Sequence, residues 1–213
     1  EVLDCWVESG SMPFAQMHYP FENKEKFENN FPAQFISEYI SQTRAWFYVM
    51  HVMSAALFDS NSFENVIATG VILNEKGEKM SKSKKNYPDP WKVINQYGAD
   101  ALRFYLMSSG LMQAENLFFN ERDLRDVFRK NIMLLWNVYK FYEMYMQITD
   151  NRQQTIDNMS ENVLDRWILA RLNQLINEVT ENMNKYDIPR ATRPISEFIN
   201  DLSTWYLQIS RER

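Results

Sequence analysis

Two patterns of apolar residues predict the elements of the first half of this chain. In QFISEYI, apolar and polar residues alternate as they do in a strand. From about Thr43 to Phe58, apolar residues recur every three or four positions and predict a helix. The β-branched segment FENVIATGVIL predicts a pair of strands, and Gly77 supplies the turn that follows. Up to about residue 110 we therefore expect a mixed α/β structure.

The second half has a helical period. PDPWKVINQYG predicts a helix with proline in its first turn and a left-handed Gly98 at its end, and ADALRFYLMSSG predicts another. After Asn120 the pattern is helical throughout, interrupted by the polar connection TDNRQQTIDNMSEN, in which Ser160 is a candidate N-cap. Residues 1–32 are rich in proline breaks and are predicted to be irregular, with at most one helical turn. One apolar stripe is predicted at Leu124, Val127, Phe128, Ile132, Leu135, Trp136, Tyr139 and Tyr142.

Composition narrows the class of protein. The chain has 213 residues, 45% of them hydrophobic, and a formal net charge of -5. A single cysteine and two histidines make an internal disulfide impossible and a Cys/His zinc site unexpected. No apolar run reaches the roughly 18–20 residues of a membrane helix, and the acidic first residues do not resemble a signal peptide. We expect a cytoplasmic protein without a membrane span.

The segment GEKMSKSKKN concentrates positive charge in an otherwise acidic chain. Four lysines, Lys79, Lys82, Lys84 and Lys85, lie within seven residues and are separated by two small serines. Lysine is a compact charge on a flexible stem and suits phosphate, and small residues let a backbone approach a ligand. The segment is therefore either a phosphate-binding loop or a solvated basic hairpin tip, since lysine runs are often only surface.

The order of these residues resembles a known family. KMSKS, Lys79–Ser83, resembles the signature loop of class I aminoacyl-tRNA synthetases. The segments LDCWVESGSMPFAQ, SEYISQTRAWFY and NYPDPWKVINQYGADALRFYL resemble the corresponding parts of isoleucyl-tRNA synthetases, and DLSTWYLQISRER resembles a helix of their anticodon-binding domain. The resemblance runs from residue 1 to 213. It implies an α/β half, the second half of a Rossmann-type nucleotide-binding fold, followed by an all-α helical bundle segment.

The resemblance also implies a domain organisation. Residues 1–32 would be the connection leaving the editing insertion, and 33–110 the C-terminal half of the catalytic domain with the KMSKS loop. Residues 111–150 would form a stem-contact helical region, and 151–213 the start of the anticodon-binding helical domain. The family's other signature, His-x-Gly-His, does not occur in this chain. We therefore expect a fragment of an isoleucine–tRNA ligase that is inactive alone. The full-length protein is expected to be monomeric.

The activity implied by the resemblance uses ATP, isoleucine and tRNA(Ile). Isoleucine would be activated to an aminoacyl-adenylate and transferred to tRNA, with Mg²⁺ held mainly by ATP and no zinc or other protein-bound metal. Lys82 matches the lysine that contacts ATP, and Lys79 is expected to act with it. Met80, Ser81 and Ser83 match the rest of the ATP-binding loop.

Four further residues match the family's substrate site. Glu38 and Gln42 match residues that contact the adenylate, and Trp6 and Trp46 match two aromatic residues beside the isoleucine side chain. Each has an alternative. Glu38 could be an exposed strand-end carboxylate, and Gln42 could cap the next helix. Trp46 lies on a helical apolar stripe, where core packing is the default, and Trp6 could also be local core.

Tyr39 and Ser41 depart from the family pattern. The family has glycine where this chain has Tyr39, and an aspartate that meets the adenylate ribose where it has Ser41. Losing a charged acceptor of this kind costs roughly 1.5–3 kcal/mol. An alternative hypothesis is therefore a non-catalytic synthetase-like protein that binds tRNA and has a degenerate adenylate site.

Overall fold

The computed structural model describes residues 4–81, 84, 86–145 and 162–211. They form two units. One comprises Glu1–Ile72 and Gly110–Leu117, and the other comprises Leu73–Ser109 and Phe118–Arg213. Among the described residues, no helix is both long and apolar enough to cross a membrane.

The first unit contains a parallel strand pair and three α-helices. Strand β1 (Ile36–Tyr39) pairs in parallel with β2 (Val66–Thr69), in the register Ile36↔Val66 to Tyr39↔Thr69. Between them lie a 3-10 turn, Ile40–Arg44, and helix α3, Trp46–Phe58. Helices α1 (Cys5–Ala15) and α2 (Lys24–Glu28) precede the strands. The predicted strand and helix are thus confirmed, but the α-helix begins three residues later than Thr43.

Helix α1 overturns the prediction that residues 1–32 are irregular. The side chain of Asp4 caps the helix by accepting the backbone N–H of Trp6 at 2.8 Å. Gly10 is buried, and a Cβ added to it would lie 2.5 Å from Val49 Cγ1 on α3. Glycine here therefore permits the close packing of α1 on α3, whereas the sequence suggested a break. Only the turn predicted within 20–32 is confirmed, as α2.

The strands predicted in FENVIATGVIL exist but do not pair with each other. β2 pairs with β1, whereas β3 (Ile72–Leu73) pairs with β4 (Leu117–Phe118). Gly70, just after β2, lies against another backbone segment: an added Cβ would be 1.8 Å from the carbonyl oxygen of Glu115. Gly70 also donates its N–H to the carbonyl of Leu111 at 2.8 Å. The chain therefore changes strand partners at this glycine.

The second unit is mostly helical. Its α-helices are α4 (Pro90–Tyr97), α5 (Ala99–Met107), α6 (Glu121–Val127), α7 (Leu134–Tyr145), α8 (Val163–Asn184), α9 (Ile188–Asn200) and α10 (Leu207–Ser210). Two π-helical segments, Phe128–Met133 and Asp201–Tyr206, connect α6 to α7 and α9 to α10. The helical prediction after Asn120 is confirmed in the described residues.

Local details of the second unit differ from the sequence prediction in three places. Gly98 has positive φ (85°) but extended ψ (152°), so it ends α4 and begins α5 without being left-handed helical. Ser160, the predicted N-cap of α8, lies outside the described residues; the side chain of Asn162 makes that cap by accepting Leu164 N–H at 2.8 Å. In the predicted apolar stripe, Leu124 is buried, whereas Leu135, Trp136, Tyr139 and Tyr142 are exposed.

Polar contacts fix the helices of the second unit. Arg171 on α8 pairs with Asp201 at 3.0 Å, and Tyr206 donates to Asp165 at 2.9 Å. Tyr105 on α5 is buried; its hydroxyl donates to the carbonyl of Phe118 and accepts the N–H of Asn120, both at 3.5 Å. Burial raises the pKa of Tyr105 because it disfavours the charged phenolate.

Candidate functional site

Glu38 stands at the carboxyl end of β1. In the parallel pair it faces Ala68, and Tyr39 faces Thr69. Glu38 is exposed, and its carboxylate accepts the N–H of Tyr39 at 3.3 Å. Carboxyl ends of parallel strands are where α/β sheets bind ligands, because the loops that follow gather there. The structure thus puts this carboxylate near the carboxyl end of a strand, and Tyr39 and Ser41, which depart from the family pattern, are exposed next to it in the sequence.

Gln42 lies in the 3-10 turn that follows β1. Its side-chain oxygen accepts the backbone N–H of Trp46 at 3.0 Å. That N–H is the first of α3 and has no partner within the helix. The capping alternative for Gln42 is therefore observed. A half-buried residue tied in this way is also held in a fixed position just beyond β1.

Trp46 connects α3 to α1. Its indole N–H donates to the carbonyl of Ser9 at 3.0 Å. Pro13, inside α1, has no N–H and cannot make the ordinary helical bond to that same carbonyl four residues earlier. The indole therefore satisfies the acceptor that the proline leaves open. Trp46 is half-buried, and Trp6, near the start of α1, is 42% exposed.

The KMSKS loop follows a tight turn in the second unit. Asn74 and Glu78 close this turn: Asn74 N–H donates to Glu78 O at 2.9 Å, and Glu78 N–H donates to Asn74 Oδ1 at 2.9 Å. Lys79 then forms an isolated antiparallel bridge with Leu73. Lys79 is exposed, whereas Met80 and Ser81 are half-buried. Lys82 and Ser83 lie outside the described residues.

Asn86 is the residue at this loop that sequence reasoning missed. Its Oδ1 accepts the N–H of Ser81 at 2.9 Å, and its Nδ2 donates to the carbonyl of Lys79 at 3.2 Å. The hydroxyl of Ser81 in turn accepts the N–H of Lys84 at 3.3 Å. The sequence offered one signal for this role, an asparagine directly after the lysine run. A carboxamide can donate and accept hydrogen bonds at the same time, so it can hold two backbone groups of a loop.

A cavity of about 420 Å³ lies next to the start of the loop, within the second unit. Its lining is mixed: Met80, Pro88 and Phe119 are apolar, whereas Glu78 and Glu121 are acidic. Asn86 also lines it. In the part of the chain that the structure describes, no three His, Cys, Asp or Glu side chains come together as a metal site.

Comparison with known proteins gives the class to which these features belong. The model of tRNA synthetases class I (I, L, M and V) matches residues 1–118, and that of the anticodon-binding domain of tRNA ligase matches residues 165–213. The chain therefore belongs to the class I tRNA synthetases.

Within that class, similar curated proteins are named isoleucine–tRNA ligase. The protein of Protochlamydia amoebophila is 49% identical over 213 residues, which is 100% of this chain and 20% of that protein. That of Clostridium novyi is 50% identical over 216 residues, again 100% and 20%. The cytoplasmic isoleucine–tRNA ligase of Caenorhabditis elegans is 47% identical over 219 residues, 100% of this chain and 19% of that protein. The chain thus spans about a fifth of the length of these relatives.

Solved structures of the class share the fold. The Agrobacterium radiobacter leucyl enzyme, in a ternary complex with tRNA and LeuAMS, has a TM-score of 0.74 at 20% identity, covering 98% of this chain and 27% of that one. The Mycobacterium tuberculosis methionyl-tRNA synthetase with methionyl-adenylate has a TM-score of 0.75 at 20% identity, covering 97% and 40%. At this identity the likeness establishes the fold alone.

Proposed function

We propose that the protein containing this chain is an isoleucine–tRNA ligase, which activates isoleucine with ATP and transfers it to tRNA(Ile). The observation that carries the proposal is the identity of 47–50% along the whole chain to proteins of that name. Leucyl and methionyl synthetases share the fold at only 20% identity. Substrate choice is therefore argued from the sequence relatives, because the fold does not distinguish among the amino acids.

The KMSKS lysines are assigned to the ATP step. The amino-acid carboxylate would attack the α-phosphorus in line while pyrophosphate leaves with the electrons of the broken P–O bond. Lys79 and Lys82 would stabilise the charge that develops on the leaving phosphates, which is commonly the largest contribution to such catalysis. Met80, Ser81 and Ser83 complete the loop. Mg²⁺ is expected on ATP oxygens, and we assign it no ligand from this chain.

The residues of the first unit are assigned to the amino acid and the adenylate. Glu38, exposed at the carboxyl end of β1, and the fixed Gln42 would contact the adenylate. Trp6 and Trp46 would wall an apolar slot for the branched isoleucine side chain. Because Trp46 is hydrogen-bonded through its indole N–H, it would present a ring of fixed orientation to that slot.

The helical part is assigned to tRNA, and the proposed domain limits remain those drawn from the resemblance. Residues 33–110 would complete a Rossmann-type catalytic domain, 111–150 would contact the stem, and 151–213 would begin the anticodon-binding bundle. The match of residues 165–213 to an anticodon-binding model supports the last of these. We propose a monomeric protein of the cytoplasm, and the name of the C. elegans relative supports the location.

The test is isoleucine-dependent ATP–pyrophosphate exchange by the full-length protein, its Lys82→Ala variant and a Lys76→Ala control. Lys76 is an exposed lysine in the turn before the loop. We expect exchange with isoleucine, a loss of roughly a hundredfold or more in Lys82→Ala, and little change in Lys76→Ala. The 213-residue chain alone should show no exchange, because it contains no His-x-Gly-His.

A folded full-length protein without exchange would refute the proposed activity. It would favour the second candidate, a tRNA-binding relative in which Tyr39 and Ser41 record the loss of adenylate chemistry. Restoring the family residues distinguishes the two cases further. If the departures weaken the site, Tyr39→Gly with Ser41→Asp should tighten binding of a non-hydrolysable isoleucyl-adenylate analogue, by about tenfold if the charged contact contributes near 1.5 kcal/mol.

A further inference from the structure

Asn86 hydrogen-bonds to the segment of residues 78–81 at the start of the KMSKS loop. On one edge of this segment, Glu78 O accepts the N–H of Asn74 at 2.9 Å, and the bridge pairs Lys79 with Leu73. The Asn86 carboxamide bonds to two other backbone groups of this segment, the carbonyl of Lys79 and the N–H of Ser81.

The contact requires the chemistry of an asparagine. The carboxamide donates to Lys79 O and accepts from Ser81 N–H, as the backbone of a neighbouring strand would. An aspartate could accept from Ser81 but would set a second carboxylate oxygen against the carbonyl of Lys79. An alanine could do neither. Asn86 is itself half-buried, so its orientation is constrained by its surroundings as well as by the two bonds.

We propose that Asn86 is a positioning residue for adenylate formation, acting through the backbone of Lys79 and Ser81. This inference rests on the proposed function, in which Lys79 stabilises charge on the departing phosphates. A charge aimed at the transition state is effective only when it is fixed in place beforehand. A misplacement of about 1 Å can cost a hundredfold in rate. Asn86 therefore belongs with the residues that determine kcat, although no contact between it and substrate is required.

The experiment compares Asn86→Ala, Asn86→Asp and Asn74→Ala in the full-length protein. Asn74 is a matched control, because it is also an asparagine that accepts two backbone N–H groups, those of Lys76 and Glu78, in the adjoining turn. Isoleucine-dependent pyrophosphate exchange gives kcat and the KM for ATP. Hydrogen exchange at the Ser81 amide reports the bond to Asn86 without reference to activity.

For Asn86→Ala we expect kcat to fall roughly ten- to a hundredfold, with the KM for ATP changed by less than about threefold, the signature of an interaction made in the transition state. Ser81 should lose amide protection. Asn86→Asp should retain that protection, because its carboxylate still accepts the Ser81 N–H, and yet lose kcat. Asn74→Ala should change kcat by less than about threefold.

Each failure has a separate meaning. Unchanged protection of Ser81 in Asn86→Ala would overturn the contact itself. Lost protection with unchanged kcat, or an equal loss of kcat in Asn74→Ala, would overturn the positioning role and leave the proposed function standing. Absence of exchange in the unmodified protein would refute the proposed function, and with it the catalytic part of this inference.

Discussion

Trp46→Phe tests the link between the proline in α1 and the start of α3. The substitution keeps an aromatic ring but removes the indole N–H that donates to Ser9 O at 3.0 Å. Pro13 has no N–H to donate to the carbonyl of Ser9, so in Trp46→Phe this carbonyl loses the indole donor that takes the place of the helical N–H. The double substitution with Pro13→Ala restores a backbone N–H at position 13 and can return a partner to Ser9.

The structure sets the size of the effect. One neutral hydrogen bond between half-buried groups contributes about 1 kcal/mol, and the smaller phenylalanine ring forfeits roughly 1 kcal/mol more in apolar contact. Trp46→Phe should therefore destabilise the α1–α3 pair by about 2 kcal/mol. In the Pro13→Ala background only the loss from ring size remains, so the cost should fall to about 1 kcal/mol, a coupling of about 1 kcal/mol between the two positions.

Hydrogen exchange of α1 amides in the full-length protein measures this cycle, because it reports local opening rather than one global transition. A cost of about 2 kcal/mol corresponds to roughly thirtyfold faster exchange, and one of about 1 kcal/mol to roughly fivefold. Pro13→Ala alone is the control. Equal costs of Trp46→Phe in both backgrounds would refute the reasoning, since the indole bond would then be unrelated to the missing proline N–H.

Two further predictions concern a close backbone approach and a buried tyrosine. Gly70→Ala should destabilise the first unit by about 2–3 kcal/mol, since its Cβ would lie 1.8 Å from the backbone oxygen of Glu115. Gly110→Ala should cost less than about 1 kcal/mol by hydrogen exchange, because its Cβ would meet the Glu115 side chain, at 2.0 Å from the flexible carboxylate end and 3.2 Å from Cβ, and would not meet backbone. Similar costs for the two variants would contradict this argument. Burial raises the pKa of Tyr105 above its ordinary 10.0, so the stability that the protonated phenol contributes is complete below pH 10 and is lost as pH rises through the folded pKa. Urea unfolding between pH 9 and about 11 should therefore show a smaller alkaline loss of stability in Tyr105→Phe than in the unmodified protein. An unchanged pH dependence would contradict the argument.

Local signals predicted the parts of the fold that depend on neighbouring residues. The alternation in QFISEYI predicted β1, and the period of three and four predicted most of α3. Pro90 lies in the first turn of α4, as expected, with Asp89 as its N-cap. These signals are readable because the backbone geometry of each element is set by residues within a few positions of each other.

The candidate site shows the same division. KMSKS and the matching positions Glu38, Gln42 and Trp46 could be identified from residue order alone. Their roles remain proposals, but the sequence did indicate that Gln42 could cap α3, and the structure confirms this contact. Asn86 was missed, because an isolated asparagine has no periodic signal and its partners are known only once the loop is folded.

The order of residues in this chain was sufficient to predict the family, the position of the KMSKS segment and most helices, because each depends on short contiguous stretches of sequence. The tertiary structure decided which strands pair and whether residues 5–15 are helical. Gly10 and Pro13 indicate a break when taken alone, yet α3 accepts the glycine at close range and supplies an indole donor for the carbonyl that the proline leaves open. Such contacts join positions more than thirty residues apart, so a helix disfavoured by its own sequence is stabilised only after the chain has folded.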